Sequence, residues 1–419
     1  MAQEPRRDRM TLLDEVRASV RDVAADDLLP TLRRDQGAVV DAVIDVAGVG
    51  DRSAVAAVGL VDGRELFVPL VHDGGWRRAG ASDAVSMGVL DAPPPLRVET
   101  LNPLPALDPR RERGLAVDMT NDVRIVDDAV AVKWQLLRQP GPLIGQRVAA
   151  HLSSVGFTDM PEPFATVTWH GSLLVAYSRF LPGADDGWDW MLDDVRAMLV
   201  DAAPEPTWPS ELGRLTARMH ASAVRPSPVI RHPLARRSLQ DLARHYRALL
   251  DTPLDEEMRT AIERWRGRFV DACDVLGRTH DAEVIPVHHD LHPGQFLRWR
   301  DGIAVCDFDG NPAFPVELQD LRGPTASDVA GVLRGFDHVA IAAVRRAGDP
   351  GSLDRARRWA RGARDEALAA YREERGVPSL DRAVLGALES LSPLHEAVYA
   401  ATYLPRWRYV PLAVLDGGW

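Results

Sequence analysis

Two periods of apolar residues run along this chain, and the change between them divides it. From Met10 to Ala92, a short helical start gives way to Val-rich segments separated by glycines. Ala38 to Val46, Ala54 to Val61 and Glu65 to Val71 predict strands of a small β-rich module. Pro93, Pro94 and Pro95, followed by Pro103, Pro105 and Pro109, mark a linker or an extended crossing segment. Between Leu115 and Phe180 the strand-like runs are Arg124 to Ile125, Ala129 to Trp134, Phe164 to Trp169 and Leu173 to Arg179, with one helical interval from Leu143 to Ser154. The predicted order is strand, strand, helix, strand, strand. From Trp188 onward the helical period dominates, with amphipathic runs at Glu211 to Ala223, Ser238 to Leu250, Glu256 to Leu276, Ala326 to Arg346, Leu353 to Arg375 and Leu380 to Thr402. The clear strands in this last part flank its densest polar cluster.

Composition narrows the class. A chain of 419 residues with 46% hydrophobic content can bury two or three cores. Its net charge of −11 argues against nucleic acid as a partner, since neutralising phosphates needs a basic surface. Cys273 and Cys306 are too few for a disulfide framework and too far apart for a zinc cluster, which fits a reducing compartment. The charged start and the lack of any apolar run of about 18 residues point to a cytoplasmic protein with no membrane partner. Oligomeric state leaves no mark on the pattern.

One lysine, Lys133, stands among 50 basic side chains. It lies in the apolar run Ala129-Val130-Ala131-Val132-Lys133-Trp134, where alternation puts it on the face of Ala129 and Ala131. A strand lysine that meets phosphates as a point charge is a kinase feature, and arginine's planar fork does not substitute for it. The plain alternative is an edge-strand lysine of no consequence.

The polar cluster is Val287-His288-His289-Asp290-Leu291-His292-Pro293-Gly294-Gln295, followed by the strand Ile303-Ala304-Val305-Cys306 and then Asp307-Phe308-Asp309-Gly310-Asn311-Pro312. Phosphoryl transfer needs a carboxylate to orient the attacking hydroxyl and oxygen ligands to hold magnesium on the triphosphate. Asp290 is the candidate base, Gln295 an amide-oxygen ligand and Asp307 the principal ligand of Mg2+. A metal hydrolase is the rival reading, because His288, His289, His292 and Asp290 lie within five residues of one another. For His288, bracing the loop by hydrogen bonding is the simpler role.

With Ser327-Asp328-Val329-Ala330-Gly331-Val332-Leu333-Arg334, these segments resemble the actinobacterial maltokinase and glucosamine kinase group of aminoglycoside-phosphotransferase-like kinases. The resemblance implies an α+β, bilobal, protein-kinase-like fold with an N-terminal β-rich cap. Residues 1–100 would form the cap, 101–181 the nucleotide-phosphate lobe and 182–419 a mostly helical lobe. The activity implied is an ATP-dependent and magnesium-dependent sugar kinase, with maltokinase, another aminoglycoside or sugar phosphotransferase, and a nucleotide-binding pseudokinase as alternatives. Asp118 to Asp122 matches the loop over the nucleotide phosphates, with Thr120 and Asn121 as ligands. Tyr177 to Gly183 resembles the hinge that reads adenine, through Ser178 and Phe180. Maltokinases read Asp-Phe-Glu-Gly-Glu-Pro where this chain has Asp309 and Asn311, so the acceptor implied is glucosamine, phosphorylated at its 6-hydroxyl. A protonated amino sugar calls for carboxylates and an aromatic face. The candidates are Asp290, His292, Asp309, Glu396 and Trp407, whereas Trp188 and Trp190 read as core. No acidic residue occupies the helix from Leu143 to Leu152, so the usual ion pair of Lys133 is either absent, replaced by an amide contact from Gln146, or supplied by Glu162 after the helix.

Overall fold

The computed structural model describes residues 9–20, 39–115, 122–139, 141, 143–201, 203–300, 302–311, 313–417 and 419. Thr120 and Asn121, with the rest of 116–121, lie outside the described residues. Contacts divide the chain into two compact units. The first holds the described residues up to Gln146 together with Pro161–Pro182, and the second holds Arg147–Met160 and Gly183–Trp419.

The first unit begins with the helix Arg9–Val20 (α1) and an antiparallel sheet of Val40–Gly50 (β1), Ser53–Leu60 (β2), Glu65–His72 (β3) and Trp76–Arg78 (β4), paired in chain order. Alternation along β2 and β3 feeds two different cores. Ala54, Ala56, Val58, Leu66, Val68 and Leu70 pack with Leu12, Leu13 and Val16 of α1. Val55, Ala57 and Phe67 join Val132, Trp134, Phe164, Trp169 and Tyr177 on the other side. Both faces are buried, which is why these strands read as nearly continuous apolar runs.

The second sheet of this unit comprises Arg97–Thr100 (β5), Glu112–Gly114 (β6), Asp122–Val126 (β7), Val130–Trp134 (β8), Pro163–Trp169 (β9) and Ser172–Arg179 (β10), in the order β5-β9-β10-β8-β7-β6. Strand β5 precedes the expected division at residue 100, yet it pairs with β9, Arg97 opposite Thr168 and Thr100 opposite Ala165. Arg124 is wholly buried here. It donates to Glu112 at 3.1 Å, to Asp122 at 2.9 Å and to the Ala79 and Gly80 carbonyls, so its charge and donors are satisfied.

The helix Ile144–Ser154 (α2) precedes β9 in the chain, completing the predicted strand, strand, helix, strand, strand order. In the second unit, Gly187–Val200 (α3), Trp208–Ala223 (α4), Gln240–Leu249 (α5), Glu256–Arg278 (α6), Thr325–Ala347 (α7), Leu353–Glu373 (α8), Arg382–Thr402 (α9) and Tyr409–Leu415 (α10) supply most of the mass. Small strands sit among them. Ala235–Arg237 (β11), Ala282–Pro286 (β12) and Arg322–Gly323 (β15) form one sheet, and Phe296–Trp299 (β13) pairs with Gly302–Val305 (β14). No described helix is long and apolar enough to cross a membrane.

Candidate active site

Asp290 sits on the loop that leaves β12, and buried side chains hold that loop in place. The backbone N–H groups of His288 and His289 donate to the two carboxylate oxygens of Asp328 at 2.8 and 2.9 Å. His220 Nε2 bonds the same carboxylate at 3.0 Å, and His220 Nδ1 is 2.8 Å from the Tyr371 hydroxyl. Burial pushes the Asp328 carboxyl up, but the bond and charge of His220, with His288, outweigh it and hold it below the usual range. The clamp keeps His289 at φ +67°, a left-handed backbone that a non-glycine residue adopts only under constraint. Beneath the loop, Gly331 of α7 lets the helix come so close that a Cβ there would lie 2.2 Å from the Leu291 carbonyl oxygen.

The loop is also tied to the strand that carries the expected metal ligands. His288 Nε2 lies 2.9 Å from the Cys306 carbonyl and its ring packs on Phe308 at 4.8 Å, which is the bracing role expected of it. The Cys306 N–H donates to the Gln295 carbonyl at 2.9 Å, extending the β13–β14 pairing by one step. Gln295 and Asp307 are thereby brought to adjacent strand ends, with Asp307 exposed and at φ +60°. An amide oxygen and a carboxylate are hard donors that suit magnesium. Among the described residues, no group of three or more His, Cys, Asp or Glu side chains is arranged to hold a metal ion, so the histidines do not form the ligand cluster of the hydrolase reading.

Asp290 opens onto a cavity of about 650 Å³ within the second unit, whose wall includes His292, Asn311, His395, Glu396, Trp188 and Trp407. Asn311 Nδ2 donates to Asp290 Oδ1 at 3.1 Å, and His292 Nε2 is 3.8 Å from Oδ2. Gly294 N–H donates to His292 Nδ1 at 3.1 Å, and the Gln295 amide nitrogen lies 3.2 Å from His292 Nε2. Burial pulls the His292 imidazole below its ordinary pKa, and Asp290 opposes the shift. Asp309 is exposed on the turn before Asn311. Trp188 departs from the expectation of a core residue. It is half-buried, its ring lies 4.9 Å from Trp407 and 6.4 Å from His292, and it builds the aromatic wall, whereas Trp190 is buried.

Glu396 faces inward from α9, and its carboxylate is already engaged. Arg334 donates to it at 3.0 Å and His338 Nε2 lies 3.0 Å away. Burial pushes its carboxyl up, but the charges of Arg334 and His338 prevail and hold it well below the usual range. Arg334 also bonds Asp337 at 2.9 Å. Arg364 continues the network to Asp337 at 3.0 Å and on to Glu389.

In the first unit, Lys133 pairs across the sheet with Ala176 and Val123, on the half-buried face it shares with Ala131 and opposite Val132 and Trp134. Ser178 stands opposite Ala131 in β10. The Phe180 N–H donates to the Ala129 carbonyl at 2.8 Å, so that donor is already used, and its ring lies under the Arg113 guanidinium. Glu162, one of the two partners expected for Lys133, gives its carboxylate to Arg179. The sequence reading missed Asp328, His220, Tyr371 and Arg334 as supports of the site. Each acts through a partner more than 35 residues away, and Asp328 and Arg334 were read only as family signature.

What the loop offers is a held carboxylate facing a cavity lined by apolar, aromatic and polar side chains, and the class this defines is a small-molecule kinase working by positioning. No family model matches the chain. The glucosamine kinase of Streptacidiphilus jiangxiensis is 35% identical over 403 residues, covering 89% of this chain and 89% of that protein. The glucosamine kinase of Mycolicibacterium smegmatis is 36% identical over 376 residues, 84% of this chain and 92% of that one. A solved glucosamine kinase in complex with glucosamine, ADP and inorganic phosphate matches with a TM-score of 0.71 at 30% identity, over 96% of this chain and 98% of that chain. A second crystal form matches with a TM-score of 0.74. The chain belongs to the glucosamine kinase family, and its fold is the α+β fold of those kinases.

Proposed function

We propose that this protein transfers the terminal phosphoryl group of ATP to the 6-hydroxyl of glucosamine. The observation that carries the reading is Asp290, held on a clamped loop at the wall of a cavity that also presents Glu396 and an aromatic face. Asp290 orients the sugar hydroxyl and takes its proton as the bond to phosphorus forms. Lys133 neutralises the nucleotide phosphates, with Thr120 and Asn121 of the preceding loop, and Ser178 and Phe180 belong to the adenine side. Gln295 and Asp307 would hold Mg2+, which when bound offsets charge on the transferring phosphoryl group. His292 steadies the acceptor beside Asp290, Trp188 and Trp407 pack on the ring, and Asp309, exposed on the turn before Asn311, is the remaining acceptor candidate.

The wall also suits an amine. Asp337, Glu389 and Glu396 face Arg334 and Arg364, and Glu396, which lines the cavity, also has His338 Nε2 at 3.0 Å, so the set is matched charge for charge when His338 is protonated and keeps one negative charge when it is neutral. A protonated amino sugar offers Glu396 an opposite charge when His338 is neutral, and a neutral sugar does not.

The test is ADP release with ATP and magnesium against glucosamine, maltose, glucose, N-acetylglucosamine and an aminoglycoside. Glucosamine should be turned over fastest, and Asp290→Asn should lower kcat by about 10³-fold while the KM for ATP stays within about twofold. Turnover of maltose well above glucosamine would overturn the choice of sugar.

A further inference from the structure

Asn311 and His395 are 84 residues apart in the chain and meet beside Asp290. The Asn311 side chain can point only one way. Its Oδ1 accepts the Ala313 N–H at 2.9 Å, so its NH2 group must face Asp290 Oδ1 at 3.1 Å and His395 Nε2 at 3.4 Å. Both neighbours therefore accept. An imidazole that accepts at Nε2 carries its single proton on Nδ1 when neutral, which fixes the tautomer of His395. The ring itself has little freedom. It lies nearly parallel to Phe314, 5.2 Å away at 19°, and to Tyr399, 6.5 Å away at 12°, with Tyr246 edge-on at 6.3 Å.

The two oxygens of Asp290 are thereby made different. Oδ1 is occupied by a neutral amide donor, and Oδ2 is left on the side of His292. A lysine or arginine would orient the carboxylate equally well but would place a positive charge against the group that must accept a proton. An amide orients it without that charge, provided something stops the amide from turning.

We propose that Asn311 and His395 form a positioning couple for the base: Asn311 holds Asp290 Oδ1 so that Oδ2 meets the acceptor hydroxyl, and His395 holds Asn311. The couple rests on the reading of Asp290 as the base. Neither residue touches the transferred group, and both act by narrowing the orientations of the carboxylate.

The experiment compares Asn311→Ala, His395→Phe, His395→Gln and the double variant Asn311→Ala/His395→Phe with the wild type. All are assayed on whichever of the five acceptors the wild type turns over fastest. The wild type's preference then tests the choice of sugar, and the ratios among variants test the couple. Asn311→Ala should lower kcat by about 30-fold or more, since misplacing a reacting group by an ångström costs on the order of 10²-fold. His395→Phe keeps the stacking and removes the acceptor, and should lower kcat by about fivefold to tenfold with the KM for ATP within about twofold. His395→Gln returns an acceptor oxygen and should recover most of that loss. The double variant should be no slower than Asn311→Ala alone, because His395 acts through Asn311. If the two losses multiply, if His395→Phe retains kcat within about twofold, or if its loss falls on the sugar KM alone, the couple is wrong. Should His395→Phe not fold, His395→Met takes its place with the same expected ratios.

Discussion

Arg124 and Arg334 are two buried guanidiniums with similar partners and different surroundings. Arg124 lies in the closed core of the first unit, where Arg124 and Arg78 face Glu112 and Asp122, two charges of each sign. Arg334 lies in the wall of a cavity, where Arg334 and Arg364 face Asp337, Glu389 and Glu396. The closed set balances two against two among the described residues, and in the cavity set the third carboxylate, Glu396, has a histidine, His338, as its further partner. A buried ion pair does not in itself say what a residue is for. The surroundings do, because Glu396 lies at a cavity wall beside a histidine, where a cationic ligand meets a carboxylate whose neighbour can be neutral.

The largest expected effect separates the two arginines. Removing one partner of a buried pair leaves the other uncompensated and costs about 3–5 kcal/mol. Arg124→Ala and Arg334→Ala should therefore both lower the unfolding midpoint in denaturant. Only Arg334→Ala should also lower kcat/KM for the sugar, by about 10²-fold or more, measured below the midpoint of each variant. If folded Arg124→Ala loses sugar turnover to the same degree, the distinction between the closed set and the cavity set has no functional meaning.

A smaller effect sharpens the comparison. Glu396→Gln keeps the shape of the side chain and removes the carboxylate that this network presents to the cavity. A hydrogen bond to a charged group is worth about 1.5–3 kcal/mol, so the KM for glucosamine should rise by about tenfold or more. The KM for glucose should change little. An equal rise for both sugars would show that Glu396 shapes the cavity and does not read charge.

The same contrast explains what could be read beforehand. Strands such as β8 and β10 declare themselves by alternation, because one or both of their faces are buried. Asp290, Gln295 and Asp307 could be found because the groups phosphoryl transfer requires fall within one short segment. Asp328, His220 and Tyr371 could not be recognised as a clamp, since a buried aspartate on an amphipathic helix has no local signature and its partners lie 108 residues away in one case and 40 in another. The pairing of Asn311 with His395 is hidden for the same reason. Helix α3, Gly187–Val200, was legible only as part of a helical region, because Asp189, Asp193 and Asp194 interrupt its apolar stripe. Trp188 belongs to that helix, and a tryptophan at a cavity wall cannot be told from one in a core by pattern alone.

Acidification gives the smallest effect and the most local one. Burial lowers the pKa of His151, His245, His289, His292 and His395 below the ordinary 6.5, and all five lie in the second unit. A histidine kept neutral when folded takes up a proton on unfolding once the pH is below 6.5. Its contribution to stability is therefore present above that value and is lost as the pH falls toward the lower folded pKa. Glu396 works in the same direction but in a lower window. Its carboxyl is depressed from 4.5, so its contribution is fully present above 4.5 and fades only at more acidic pH. Between pH 6.5 and 4.5 the loss should thus follow the histidines, while the guanidiniums keep their charge. Amide hydrogen exchange at pH 7.5 and 5.5, corrected for intrinsic rates, should show protection falling over 283–299 and 388–402 before it falls over 122–134. Equal loss in all three segments would mean that the buried histidines do not govern the acid response.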